Sequence, residues 1–212
     1  MFNYSFIDLD DTLFNTHLFK KDIFGCFARY GVNAEAYEIS YKQAVFGPMV
    51  GYFDYSFKKH TDILREMNYE IPDSIFDELE NLFKKNYNDF QAEQFLVDIK
   101  KISGKIILLT AGEKNIQEKK IASTGLAKYF DAIEIIDGGK TQKILDIAGQ
   151  EQKILFVNDN LVENIQIKND LPFVLVVAKK HRDKWAGDDY EKSNLPCFNT
   201  LNEIKDYVFR SL

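Results

Sequence analysis

Ile7-Asp8-Leu9-Asp10-Asp11-Thr12-Leu13 closes an apolar run that begins at Tyr4, and the fold is decided by how this stretch is read. In extended backbone Asp8 and Asp10 project to the same side of a strand, and Thr12 follows where the strand gives way to a loop. Two carboxylates on one side repel each other unless a cation or a shared proton offsets them. Taken alone, an Asp-x-Asp at a strand end is also an ordinary solvated turn, so its meaning depends on what the rest of the chain brings beside it.

Outward from that stretch, short apolar runs rich in Ile, Val, Leu and Phe recur at residues 4–9, 105–109, 132–136, 153–157 and 173–177. The last four alternate with helix-length segments at 114–123, 141–148 and 160–168. That pattern predicts right-handed crossovers and an α/β, Rossmann-like three-layer core with a parallel five-stranded sheet. A final helix is expected from Leu201, because Thr200-Leu201-Asn202-Glu203 has the spacing of a capping box.

Between the first two runs lies far more chain than one crossover helix needs. Its pattern is helical: Leu18, Phe19, Ile23 and Phe27 recur at helical spacing before Gly31, and Pro72-Asp73 opens a second run with Ile75, Phe76, Leu79, Leu82 and Phe83 on one face. Residues 15–92 are therefore expected to form an inserted α-helical cap, with 1–14 and 93–212 as the core. The crossings are placed at Phe14-Asn15 and Phe90-Gln91-Ala92. The sharpest break inside the insertion is Phe46-Gly47-Pro48-Met49-Val50-Gly51-Tyr52-Phe53, a candidate lip over a site, with Tyr52 and Phe53 available to stack a base. His17 and His60 read as ordinary helix residues.

Composition narrows the class. The chain has 212 residues, 45% of them hydrophobic, enough for a sizeable core. Its 27 Lys+Arg against 33 Asp+Glu give a net charge of −6 and a pI near 5.2, which argues against a nucleic-acid partner. The basic cluster Lys179-Lys180-His181-Arg182-Asp183-Lys184 reads as a solvated loop. Cys26 and Cys197 lack metal-ligand spacing and read as buried thiols. No apolar run approaches the roughly 20 residues that span a bilayer, and no signal peptide opens the chain, so a cytoplasmic protein without a membrane partner is expected. Oligomeric state is not legible.

In parallel sheets ligands sit beyond the carboxyl ends of the strands. The first strand should end in Asp8-Leu9-Asp10, the second in Thr110-Ala111-Gly112 and the fourth in Asn158-Asp159-Asn160, while Asp137-Gly138-Gly139-Lys140 follows the third. With these residues the chain resembles the haloacid dehalogenase superfamily of phosphohydrolases: Asp8-Leu9-Asp10-Asp11-Thr12 matches its Asp-x-Asp-x-Thr signature, Thr110 its Ser/Thr, Lys140 its lysine, and Asp159 with Glu163 its terminal acidic motif. The helical insertion resembles the lid of members with an α-helical cap.

The resemblance implies a division of labour. Asp8 would be the nucleophile, forming an aspartyl-phosphate, and Asp10 the acid and base for the leaving oxygen and the attacking water. Mg2+ would be held by Asp8, Asp159 and the Asp10 backbone carbonyl, with Glu163 acting behind them. Thr110 and Lys140 would bind the phosphate oxygens; Lys140 is preferred over Lys143 because it follows Gly138-Gly139. Asn158 stands where the family usually has Gly, and Glu163 where it usually has Asp. Asp11 is assigned a structural part only. Members that cleave carbon–halogen or carbon–phosphorus bonds lack an acid at the position of Asp10, so the expected activity is Mg2+-dependent hydrolysis of a small phosphorylated metabolite, a nucleotide or sugar phosphate. A sugar-phosphate mutase or a non-catalytic phospho-ligand binding protein would carry the same core. A receiver-type signalling domain also combines Asp, Thr and Lys, but the insertion and the early Asp-x-Asp argue against it.

Overall fold

The structure is a computed structural model that describes residues 1–45, 55–150, 153–181 and 184–212. Among the described residues a single sheet holds six parallel strands: β1 (Phe2–Ile7), β2 (Ser103–Ala111), β3 (Ala132–Ile136), β4 (Ile154–Asn158), β5 (Val174–Lys179) and β6 (Cys197–Phe198). Their spatial order is β3-β2-β1-β4-β5-β6. The expected five-stranded sheet is thus one strand short. Only two residues long, β6 pairs Ala178 with Cys197 and Lys179 with Phe198, and so short a piece next to Pro196 carries no apolar run to announce it.

The chain runs outward from β1 in one direction through β2 and β3, then returns to continue in the other through β4, β5 and β6. That reversal makes the carboxyl end of β1 the crevice where such sheets hold ligands. Register sets its contents. Ile7 lies opposite Leu108 on one side and Val157 on the other, so the residues following each strand emerge together.

Ten helices are described: α1 (Thr16–Ala28), α2 (Ala34–Val45), α3 (Phe57–Glu66), α4 (Ile75–Asn81), α5 (Ala92–Lys100), α6 (Lys114–Thr124), α7 (Lys140–Ala148), α8 (Leu161–Asp170), α9 (Gly187–Lys192) and α10 (Leu201–Arg210). Alternation along the strands divides the core. Phe6, Ile107, Leu109, Phe156 and Val176 pack with Ile144 of α7, Leu161 and Ile167 of α8 and Tyr190 of α9. Ile7, Leu108, Val157 and Val177 face the opposite way, onto Phe95 and Ile99 of α5, Ile116 and Ile121 of α6 and Ile204 and Val208 of α10. Each such side chain fully removed from water contributes about 1.5–3 kcal/mol, and both sheet faces are covered. The capping box at the start of α10 is formed, with Thr200 accepting from the Glu203 amide.

Helices α1 to α4 occupy the insertion, and their core continues from the second sheet face without a break through Phe14, Phe19, Phe27, Phe57 and Leu64. The two crossings are paired with each other: the Asn15 amide donates to the Tyr87 carbonyl at 2.7 Å, and the Asp89 amide to Leu13 at 2.8 Å. The return crossing therefore lies a few residues before the expected 90–92. Rings of Phe14, Phe19 and Tyr87 pack at centroid distances of 5.2–5.4 Å around it. Buried Lys179 donates to the Thr12 carbonyl at 2.8 Å and to Asp89 Oδ2 at 2.7 Å, tying both crossings to the end of β5. No helix among the described residues is long and apolar enough to cross a membrane. The proposed lip at 46–53, with Tyr52 and Phe53, lies outside the described residues.

His60 is no ordinary helix position. It is fully buried in α3, with Nε2 2.9 Å from Ser40 Oγ and Nδ1 3.1 Å from the Tyr55 hydroxyl. Burial lowers its pKa from 6.5 to about 3. The unfolded chain therefore takes up a proton that the folded one refuses, and stability is lost as pH falls from 6.5 toward 3. Between pH 7 and pH 5 this one group should cost about 2 kcal/mol of unfolding free energy. Urea melts at the two pH values should show that component in the wild type and its absence in His60→Gln.

Candidate active site

β1 delivers Asp8 to the carboxyl edge of the sheet, where its amide donates to the Val157 carbonyl at 2.9 Å. The chain then coils around one carbonyl: the amides of Thr12, Leu13 and Phe14 all point to Leu9 O at 2.9–3.3 Å, and Asp11 adopts φ 50°. Left-handed backbone is tolerable for Asp, and it separates the three carboxylates that sequence places in a row.

Asp8 is 3% exposed and accepts from Lys140 Nζ at 2.6 Å through Oδ1. Lys140, the first residue of α7, also pairs with Glu163 Oε2 at 3.0 Å and approaches Asn158 Oδ1 at 3.5 Å. The Asn158 amide donates to the same Glu163 oxygen at 3.0 Å. The Asn in place of Gly thus braces the Glu, and the Glu braces the lysine. Burial pushes the Asp8 carboxyl up, Lys140 pulls it down, and Asp10 and Glu163 push it up again, leaving it raised. Burial opposes the charge on Lys140, but Asp8 and Glu163 outweigh it and its pKa rises. Lys143 lies elsewhere, paired with Glu134 at 2.8 Å on the surface of α7.

Asp10 turns away from Asp8 toward α1 and α6. Its Oδ1 accepts from Thr16 Oγ1 at 2.5 Å and Lys120 Nζ at 2.7 Å, and its Oδ2 from Gln117 Nε2 at 2.8 Å. Gln117 also donates to the Ala111 carbonyl, and Gly112 leaves room for it: at φ 146°, a Cβ there would lie 2.8 Å from Gln117 Nε2. Burial alone would raise the Asp10 pKa, but Lys120, Thr16 and Gln117 bring it to about 2. Lys120 and Gln117 escaped the sequence reading. They sit three apart on one face of α6, but nothing local separates Lys120 from Lys119, which pairs with Glu80 at 2.6 Å.

Thr110 and Asp159, at the carboxyl edge of the sheet, have no side-chain partner among the described residues. Thr110 Oγ1, at the end of β2, makes no hydrogen bond. Asp159 is 8% exposed and has neither a hydrogen bond nor an ion pair among the described residues. Burial and the neighbouring Asp8 and Asp11 raise its pKa well above the usual carboxylate range. A buried, unpartnered carboxylate beside other carboxylates is what a hard divalent cation with oxygen ligands fits, so Asp8, Asp159 and the Asp10 carbonyl are a chemically suitable set for Mg2+. The orphan hydroxyl suits an anionic oxygen of a ligand.

One expectation is corrected here. The 179–184 cluster is not simply a solvated loop: Lys179 is buried, and His181 Nε2 lies 3.1 Å from Asp11 Oδ2; Arg182 and Asp183 lie outside the described residues. Asp11, expected to be structural, meets His181 and Asp159. One ligand atom each from Asp11, Asp159 and His181 come within 4.8 Å of one another. These contacts arise because β5 runs beside β4, which brings a residue 170 positions away onto the first loop.

No family model matches the sequence, and no curated protein matches it. The fold does find matches among solved structures. An L-2-haloacid dehalogenase from Xanthobacter autotrophicus with chloropropionic acid covalently bound shares 17% identity at a TM-score of 0.66, covering 98% of both chains. A beta-phosphoglucomutase candidate from Thermotoga maritima shares 15% at 0.69, covering 99% of this chain and 100% of the other. A candidate HAD-type hydrolase from Bacillus subtilis bound to magnesium shares 14% at 0.64, covering 97% and 98%. The chain has the haloacid dehalogenase-type fold, an α/β core with a parallel sheet.

If Lys120 is what holds Asp10 ionised, Lys120→Met leaves burial unopposed by a full charge. The Asp10 carboxyl should then titrate at a higher pH than in the wild type. Carboxyl 13C NMR, with Asp10→Asn identifying the resonance, measures this; an unmoved resonance would assign the low pKa to Thr16 and Gln117.

Proposed function

We propose that this protein is a cytoplasmic, Mg2+-dependent phosphatase that hydrolyses a small phosphate monoester, a nucleotide or sugar phosphate, through an aspartyl-phosphate on Asp8. Helices α1 to α4 serve as its lid. The observation that carries this reading is the Asp10 carboxylate, two residues after Asp8 in the sequence and held by Thr16, Lys120 and Gln117. An alkoxide leaving group needs a proton, whereas a halide does not.

Asp8 attacks phosphorus as the ester P–O bond breaks, and the departing oxygen takes a proton from Asp10. Water, giving its proton back to Asp10, then attacks phosphorus; the Asp8–phosphorus bond breaks and inorganic phosphate leaves. A carboxyl whose pKa Lys120, Thr16 and Gln117 lower suits the second step as base. The first step needs the protonated form, so Asp10 must release the Lys120 ammonium before it acts as acid. Thr110 and Lys140 donate to non-bridging oxygens, and the Asn158–Glu163 brace keeps the lysine in place. When bound by Asp8, Asp159 and the Asp10 carbonyl, Mg2+ supplies the positive charge that lets a carboxylate approach a phosphate dianion.

The dehalogenase neighbours supply a second reading, favoured by the Lys140–Asp8 pair, which would equally hold a carboxylate nucleophile for attack on carbon. The two separate on product. Phosphate release from p-nitrophenyl phosphate is expected with Mg2+, and none with excess chelator or in Asp8→Asn; chloride release from 2-chloropropionate with no phosphate release would replace the reading.

Leaving-group dependence tests Asp10. Asp10→Asn should lower kcat about 10²–10⁴-fold on an alkyl phosphate. On p-nitrophenyl phosphate, whose phenolate departs without a proton, the loss should be much smaller in the phosphorylation step. Equal losses in single-turnover measurements on the two substrates would remove Asp10 from the acid role.

A further inference from the structure

The oxygen-only set leaves Asp11 and His181 unexplained. They are brought together by tertiary structure alone, Asp11 from the coil after β1 and His181 from the segment after β5. Each is positioned by its own hydrogen bonds. Asp11 Oδ1 accepts from the His17 amide at 3.3 Å, leaving Oδ2 toward the imidazole, and the His181 amide donates to the Tyr190 hydroxyl at 2.8 Å. Asp159 is the third member, nine-tenths buried, unpartnered among the described residues, and directed at the same point. The 3.1 Å between Asp11 Oδ2 and His181 Nε2 is also close to the spacing of adjacent ligands around an ion with bonds of about 2.0–2.2 Å.

We propose that Asp11, Asp159 and His181 form a second divalent-cation position, sharing the Asp159 carboxylate with the oxygen-only set and selecting Mn2+, Co2+ or Zn2+ over Mg2+. Two carboxylates and an imidazole make a mixed oxygen and nitrogen donor set. Mg2+ prefers oxygen and sheds its water reluctantly, whereas imidazole suits later first-row ions. Carboxylates bridge paired metals about 3.5–4 Å apart in many hydrolytic sites, so a shared Asp159 is chemically ordinary. The position goes beyond the phosphatase reading and stands without it, because metal binding is measurable whatever the substrate.

The experiment uses the full chain stripped with chelator and titrated calorimetrically with Co2+ and with Mg2+, alongside pulsed EPR of bound Mn2+ to detect coupling to a nitrogen ligand. Nitrogen coupling is expected in the wild type and in Asp8→Asn, and its loss in His181→Gln. Co2+ affinity should fall by at least about 10- to 100-fold in Asp11→Asn and in His181→Gln, since even outer-shell changes cost that much. Mg2+ affinity should fall far less in His181→Gln. Absence of nitrogen coupling in the wild type would overturn the proposal without needing any variant to fold, and would leave Asp11–His181 as a hydrogen-bonded pair only. Unchanged Co2+ affinity in both variants would do the same. Phosphate release with no nitrogen coupling would leave the phosphatase reading standing and this one fallen; nitrogen coupling in a protein that releases no phosphate would mean the reverse.

Discussion

Charge crowded at the carboxyl ends of β1 and β4 is the constraint on which the rest of the site depends. Parallel register sets Asp8 and Asp159 at neighbouring strand ends, both almost wholly out of water. A buried charge must find a counter-charge or lose its ionisation. Lys140 meets Asp8 at 2.6 Å, and removing either partner of such a buried pair would strand the other at a cost of about 3–5 kcal/mol. Asp159 has no such partner among the described residues. One carboxylate is therefore satisfied within the protein and the other is left to whatever binds, and that asymmetry gives the cleft its chemistry.

Asp10 answers the same constraint differently. By turning away from Asp8 it finds Lys120 and Gln117 on a core helix and Thr16 on the first inserted helix. Its charge is held where the insertion meets the sheet. That junction is itself well tied, since the two crossings hydrogen-bond to each other and Lys179 joins Thr12 and Asp89 from the end of β5. Lys120, Thr16 and Gln117, which no sequence motif singles out, thus lower the pKa of a candidate acid and base.

Asn158 and Glu163, the two departures from the pattern the chain resembles, fit the same logic. Asn158 carries an amide where a glycine would offer none, and that amide reaches Glu163, whose longer side chain in turn reaches Lys140. The two departures compensate in space. Each looks like a weakening when considered alone.

The sequence by itself determined the sheet's first five strands, the helical insertion and the capping of α10, because apolar periodicity and capping are local and repeat within a few residues. It also placed Asp8, Asp10, Thr110, Lys140 and Asp159 at strand ends or just beyond them, since a parallel α/β order forces those ends to one edge. Tertiary structure alone decided which neighbours they meet. Lys119 and Lys120 are adjacent and chemically identical, but the turn of α6 sends one to Glu80 and the other to Asp10. His181 looked like part of a charged loop until β5, lying beside β4, carried it to Asp11. Two-residue β6 had no pattern to read. Contacts between residues more than a hundred positions apart depend on strand order and helix azimuth, and no local spacing encodes either.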